Sequence, residues 1–367
     1  ASSIAARLAL GDTMAQARSV GLPGSLGLLC HVLGMDESVA KQADGKALMR
    51  LFCLPSSTGT PQSHPKEWVA FLQYARHDIL AMRELRRRLP EWNYTLPAER
   101  ASWELDQRIN ERGFAVDMKL AVGAVDAVTR TKARLAARCE ELTAGEVRAT
   151  TQRDALLRHL LKEYEVALPD LTAATIERRL EDETLPEPVR ELLLNRLSMS
   201  GTAVAKYKRL LGGVSGDGRL RGTLEWCGAS RTGRWSGRMF QPQNLPRPWL
   251  KQGEIDAGIE ALSAGVGDLV LASPTDMAAN AIRGCVVPAD GCKLVVADLS
   301  NIEGRVLAWI AGEEWKVEAF RAFDRGEGQD LYKLAYSRSS GVKPEDVTAE
   351  QRQIGKVQEL ACLGPDT

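Results

Sequence analysis

The stretch VVADLSNIEGRVLAWIAG, residues 295–312, decides the fold. Its opening, together with Leu294, is apolar on both faces, the pattern of a strand buried at the centre of a sheet. From Ile302 to Ala311 the spacing changes to that of a helix, with Ile302, Val306, Leu307 and Ile310 as its expected apolar face. Asp298 closes the apolar run. A carboxylate there either projects into a cleft, where a cation or metal offsets its desolvation, or caps the helix that follows. Glu303 and Arg305 either line the same cleft or are solvated.

Outward from this stretch, two further segments are rich in charge. Downstream, TAEQ at 348–351 is a capping-box signature, with Thr348 as N-cap and Gln351 three residues on. The helix it opens places Arg352 and Lys356 one turn apart, either as a clamp for an anionic ligand such as a polyphosphate or as a solvated face. Upstream, residues 221–247 hold Arg221, Arg231, Arg234, Arg238 and Arg247 against one acid, Glu225. The run RTGRWSGRMFQPQNLPRP adds glycines, amides and prolines, so it reads as a rigid loop dense in donors, suited to phosphate oxygens and minor-groove acceptors. Another basic stretch, 196–213, carries Arg196, Lys206, Lys208 and Arg209 without an acidic neighbour.

The whole chain has 367 residues, with 48 Lys and Arg against 48 Asp and Glu, so any attraction for an anionic partner must come from such local patches. Its length suits two or three domains. Seven cysteines without any CxxC spacing read as reduced core residues rather than a disulfide frame or zinc site. No apolar run approaches a membrane span, and the first twenty residues lack the pattern of a signal peptide. Residues 1–90 look helical, with an amphipathic helix from Pro65 carrying Trp68, Phe71, Leu72, Ile79 and Met82. A second helical block covers 97–210: one helix stopped by Gly113, a long one over 118–145, and a last long one over 187–211 with Gly201 at its centre. GDGRLRGTLEWCG, 216–228, suggests paired strands.

These segments together resemble the family A DNA polymerases, especially phage-type relatives of the bacterial repair polymerase. VVADLSNIEGRVLAWIAG resembles the first palm motif of that family, with Asp298, Glu303 and Arg305 at its acidic and basic positions. TGRWSGRMFQPQNLP, 232–246, is similar to its primer-strand motif, and Arg352 and Lys356 match the opening cations of its nucleotide-binding finger helix. Gly304 stands where the family commonly has a larger apolar residue, at a helix cost of roughly 1 kcal/mol. NERGFAVD, 110–117, resembles the entry to the polymerase domain, and YARHD has the Tyr-x-x-x-Asp spacing of the last proofreading motif, Tyr74 and Asp78.

The resemblance implies an α/β multidomain fold: residues 1–90 as the C-terminal part of a ribonuclease-H-like 3′–5′ exonuclease domain, 97–210 as a helical thumb, 211–340 as an incomplete mixed-sheet palm and 341–367 as the start of the fingers. It implies template-directed DNA synthesis, in which a primer 3′ hydroxyl attacks the α-phosphorus of a deoxynucleoside triphosphate and pyrophosphate leaves. Two Mg2+ ions are expected, with Asp298 as their ligand; Arg352 and Lys356 neutralise phosphate charge, and Glu303 with Arg305 selects the sugar. Thr232, Arg234, Gln243, Asn244, Lys206 and Lys208 are expected on primer-template DNA. The implied protein is a cytoplasmic monomer of a bacterium or phage-infected cell. The remaining exonuclease motifs are expected upstream of Ala1, and a base-stacking aromatic and a second palm carboxylate beyond Thr367. The chain by itself is then expected to be weak or inactive, and the alternative is a catalytically silent DNA-binding fragment.

Overall fold

A computed structural model describes residues 12–36, 45–54, 57–199, 201 and 203–361. The chain forms two compact units, Ala1–Lys293 and Leu294–Thr367, a division that falls inside the expected palm block 211–340.

In the first unit every regular element described before residue 97 is a helix, as the helical reading of residues 1–90 expects. The helix Pro65–Arg88 begins with proline at its first turn, where the missing N–H costs nothing, and ends on three arginines that complement its dipole. It buries Tyr74, Ala81 and Leu85. Of the residues expected on its apolar face, Trp68 and Phe71 gather with Phe52 at ring-centroid distances of 5.2 to 5.7 Å. Leu72, Ile79 and Met82 are exposed instead.

The helix Pro97–Arg112 stops at Gly113, whose φ of 58° suits glycine. Met118–Leu142 is the axis of the main core: Leu120, Ala121, Ala124, Ala127 and Val128 recur at helical spacing and are fully buried. The helices Gln252–Ser263, Ala203–Gly213 and Pro274–Ala281 pack around it. Tyr207, Phe240, Leu220 and Ile282 complete this core, and the buried Tyr207 hydroxyl donates to Ala278 O at 2.8 Å, which satisfies its polar end. A second core joins the helices of 139–193 through Leu156, Leu160, Ile176, Leu192 and Leu193.

The expected long helix over 187–211 is two helices, Glu187–Met199 and Ala203–Gly213. Between them the Gly201 carbonyl accepts from Lys132 Nζ at 3.2 Å. Strands near 216–228 occur as expected, each with a partner from elsewhere. β1 (Phe114–Val116) lies between β2 (Arg219–Leu220) and β5 (Val286–Val287), antiparallel to both. β3 (Leu224–Glu225) pairs antiparallel with β4 (Ser236–Gly237).

In the second unit the expected central strand is absent: residues 294–299 form no ladder, and Val295 and Val296 are 82% and 91% exposed. Apolar pattern provides faces to bury, but a strand also needs a neighbour for its N–H and C=O groups, and the described residues of this unit provide none. The helix Ile302–Ala311 forms as expected, with its faces reversed. Gly304 and Ala308 are buried while Ile302, Val306 and Ile310 are exposed. A side chain at Gly304 would put its Cβ 2.7 Å from Asn301 Oδ1, the tip of the side chain that precedes the helix, a local crowding that a shift of that side chain relieves. Ala308, Phe320 and Leu331 make the small core of this unit. The helices Leu331–Ser340 and Ala349–Ala361 pack as a tight pair in which Gly355 lies against the Tyr332 backbone.

Candidate active site and nucleic-acid interface

The arginine loop of the first unit is a set of short turns on a buried anchor. Ala229 N donates to Arg234 O at 3.0 Å, Gly233 N to Ala229 O at 2.8 Å, and Arg234 N to Thr232 Oγ1 at 3.4 Å. Pro242–Asn244 is a 3-10 turn in which Asn244 Nδ2 donates to Gln241 Oε1 at 3.0 Å. Beneath it Phe240 and Leu245 enter the main core, leaving Thr232, Arg234, Gln243 and Asn244 exposed.

Its guanidiniums are not equivalent. Arg221 is held by Asp217, just outside the loop, at 2.8 and 2.7 Å, and this hydrogen-bonded pair pulls the Asp217 carboxyl down to about 2. Arg238 pairs with Glu225, which also pairs with Arg18. Burial acts to raise the Glu225 carboxyl, but the hydrogen bonds from Arg238 and Arg18 outweigh it and hold it below the usual range. Lys206 donates to the Asn244 carbonyl at 2.9 Å, which brings two of the predicted residues together. Lys208 is exposed on the same helix.

In the second unit Asp298 is exposed, and it makes no hydrogen bond or ion pair among the described residues. Asn301 follows at φ 51°, a left-handed conformation that turns the chain into the helix. Cys227, Met239 and Gln241 are also non-glycine residues at positive φ; side chains with a Cβ adopt this region at a cost, and such residues gather at ligand sites.

Arg305 is neither solvated nor aimed at open space. It donates to Ser300 O at 2.9 Å and in bidentate fashion to Asp324 at 2.6 and 2.7 Å, and it stacks on Phe320 with its guanidinium 4.6 Å from the ring centre. This pairing holds the Asp324 carboxyl below the usual range. Glu303 is half-buried.

The capping box forms as the sequence predicts: Gln351 N donates to Thr348 Oγ1 at 3.2 Å and Thr348 N to Gln351 Oε1 at 3.0 Å. One turn into that helix Arg352 donates twice to Asp330 Oδ2, at 3.0 and 2.6 Å, with its guanidinium 5.0 Å from the Tyr332 ring centre. Lys356 is half-buried and has no hydrogen-bond or ion-pair partner among the described residues. Ser300, Asn301, Arg305, Asp330, Tyr332 and Arg352 share the wall of one small cleft with about 30 Å3 of free space.

Asp330 and Asp324 are the residues that sequence reasoning passed over. Asp330 caps the helix Leu331–Ser340, accepting from Tyr332 N at 2.7 Å. The run GEGQDLYK, glycines then an acid before a helix, carried that signal. Asp324 had none, because its pairing with Arg305 spans separate helices.

Tyr74 is buried and Asp78 half-buried one turn later, on the helix Pro65–Arg88. Among the described residues no group of three or more His, Cys, Asp or Glu side chains is gathered to hold a metal ion. No helix among them is long and apolar enough to cross a membrane.

Comparison with known proteins bears on these geometries together. The model of DNA polymerase family A matches residues 130–362. A DNA polymerase of Bacillus phage SP02 is 32% identical over 363 residues, covering 95% of this chain and 54% of that protein. DNA polymerase I of Mycobacterium bovis is 32% identical over 145 residues, 39% of this chain and 12% of that protein. The chain therefore spans at most about half the length of these two relatives. A solved structure, the POL domain of Pol1 from M. smegmatis in complex with DNA primer-template and dNTP, shares the fold at a TM-score of 0.51 and 19% identity, over 96% of this chain and 53% of that one. The shared architecture is helical with small sheets.

Proposed function

The chain belongs to DNA polymerase family A, and we propose that it serves template-directed synthesis of DNA from deoxynucleoside triphosphates. The observation that carries this reading is that one family match, residues 130–362, takes in the arginine loop, Asp298 and the Arg352–Lys356 helix together. On this reading residues 1–90 belong to an exonuclease-like region that retains Tyr74 and Asp78, 97–210 to a thumb, 211–340 to a palm and 341–367 to the fingers.

Thr232, Arg234, Gln243 and Asn244 track the backbone and minor groove at the primer terminus, contacts that report geometry without reading each base. Lys206 and Lys208 add charge along the duplex. Lys356 meets the triphosphate. Arg352, pre-oriented by Asp330, presents a planar fork to the same anion, so that phosphate charge is countered by groups already in place. Glu303 closes the sugar pocket against a 2′ hydroxyl, and Arg305, fixed between Asp324 and Phe320, braces that wall. Proton removal from the primer hydroxyl and charge neutralisation at the phosphates are what Mg2+ supplies when bound. Asp298 suits that ion: Mg2+ is commonly held by one or two carboxylates together with substrate phosphates, and this carboxylate is hard, exposed and uncommitted within its own unit.

A DNA-binding protein without catalysis is the second reading, favoured by the contrast between the arginine loop, anchored in the main core, and the exposed, unpaired segment that carries Asp298. Single-nucleotide incorporation on four templates that differ only in the next base separates the two. Synthesis predicts that each template takes its own complement, and that Glu303→Ala raises ribonucleotide use relative to deoxyribonucleotide use. No incorporation by the full-length gene product on any template contradicts it.

A further inference from the structure

The helix Ala349–Ala361 carries Arg352, Lys356 and Glu359 at spacings of four and three, so these three charged groups share one stripe. Gly355 lies in that stripe, and a Cβ there would run into the Tyr332 carbonyl oxygen, which fixes the rotation of the helix against Leu331–Ser340. Two of the charges are committed. Arg352 is held by Asp330. Glu359 forms an ion pair at 2.7 Å with Lys316 of the helix Glu314–Asp324, and only 12% and 13% of the Lys316 and Glu359 side chains are exposed. Lys356 is left as the one charge of the stripe with no hydrogen-bond or ion-pair partner among the described residues.

A lysine and a glutamate three apart on a helix are neighbours whose opposite charges attract, so Glu359 is the default partner of Lys356. It is taken instead by Lys316. A tie between two helices accounts for the presence of a partner beside a largely buried lysine. It does not account for an unpaired Lys356 one turn from a carboxylate.

We propose that Lys316 is a positioning residue for the triphosphate: by occupying Glu359 it keeps Lys356 free to meet the anion. The proposal deepens the polymerase reading and rests on it for the identity of that anion. Without Lys316, the Glu359 carboxylate keeps its burial and loses its cation, a costly state. Lys356, one turn back on the same stripe, then relieves it and is withdrawn from the phosphates. The reverse loss has no such effect. Lys316 also lies 3.6 Å from Glu313, a more exposed partner that remains when Glu359 is changed, and Lys356 stays free.

The test is that asymmetry, read in Lys316→Met, Glu359→Gln and the two combined. In the 367-residue chain the readout is acylation of Lys356 by a limiting amine-reactive ester, followed by mass spectrometry against the exposed Lys208. A carboxylate partner favours the protonated amine, which does not acylate. Lys316→Met is expected to slow Lys356 roughly two- to fivefold, the range of a partly exposed ion pair. Glu359→Gln, the double variant and Lys316→Arg are expected to label as wild type. In the full-length gene product, KM for a deoxynucleoside triphosphate is expected to rise by a similar factor in Lys316→Met alone. Thermal melts accompany each variant, and Lys316→Gln repeats both measurements if Lys316→Met melts early. Lys356 labelling unchanged by loss of Lys316 overturns the proposal. So does equal slowing by both single variants, which is what a mere tie between helices predicts, and so does slowed labelling with KM unmoved. A wild-type gene product that incorporates no nucleotide contradicts the polymerase reading instead, while the labelling still decides whether Lys316 keeps Lys356 free.

Discussion

The arginine loop and the segment around Asp298 carry comparable polar groups on opposite foundations. The loop, 229–246, hangs from Phe240 and Leu245, both in the main core, and its turns close on their own backbone hydrogen bonds. The segment 294–299 has no regular structure and is exposed, and it precedes a helix whose outer face shows Ile302, Val306, Trp309 and Ile310. The donors proposed for DNA are thus presented on a rigid platform, while the catalytic candidate stands on backbone that its own unit does not pair. Around it the cations are the better ordered groups: Arg305 and Arg352 each have a carboxylate partner in place, Asp324 and Asp330.

The largest effect expected from this contrast is on the loop's anchor. Phe240→Ala removes a fully buried ring that packs 6.2 Å from Phe114, and should cost about 3–5 kcal/mol in urea unfolding. A loss under about 1 kcal/mol would mean that the loop does not depend on the core. Next is Arg234→Ala, expected to weaken primer-template binding roughly tenfold across unrelated sequences and to lower the salt slope by about 1. A loss confined to one sequence would turn a backbone contact into a base contact.

A smaller effect concerns acid. Asp217 is lowered from its ordinary 3.8 to about 2 by hydrogen bonding from Arg221. Its folded value lies below the unfolded one, so its stabilisation is present above 3.8 and fades as pH falls toward about 2. Asp217→Asn should therefore lower the urea midpoint at pH 7, and the gap from wild type should close near pH 2. A gap that stays constant over that window would remove the pair from the loop's support. The smallest change belongs to the exposed segment: Val296→Ser should shift stability by no more than about 0.5 kcal/mol in the 367-residue chain. A shift above about 2 kcal/mol would show the segment packed in solution.

What was legible in the sequence was mostly local. Helix spacing and caps depend on residues within one or two turns, so Gly113 as a stop, Thr348 with Gln351 as a capping box and the helix after Asn301 all follow from short windows. The loop was legible because glycine, proline and amides leave an arginine-rich stretch no core face. Three features were not legible. The run Leu294–Ala297 has the composition of a central strand, yet a strand is a property of two segments, and apolar pattern cannot name the second. The inward face of the helix Ile302–Ala311 carries its small residues, Gly304 and Ala308, rather than its larger side chains. The partners of Arg305 and Arg352 lie 19 and 22 residues away, distances at which charge pairing leaves no periodic trace.

Asp298 is proposed to serve the chemistry of synthesis, and the arginine loop the grip on DNA. Asp298→Asn in the full-length gene product tests it directly, by primer extension with Mg2+ and four deoxynucleoside triphosphates beside duplex affinity measured on the same preparation. The substitution keeps the shape of the side chain and removes its charge. Extension should fall by more than the roughly 10–100-fold typical of an outer-shell metal partner, with duplex affinity within about twofold of wild type, as expected when no phosphate contact is lost. Extension at the wild-type rate, with contaminating polymerase excluded, would contradict the claim.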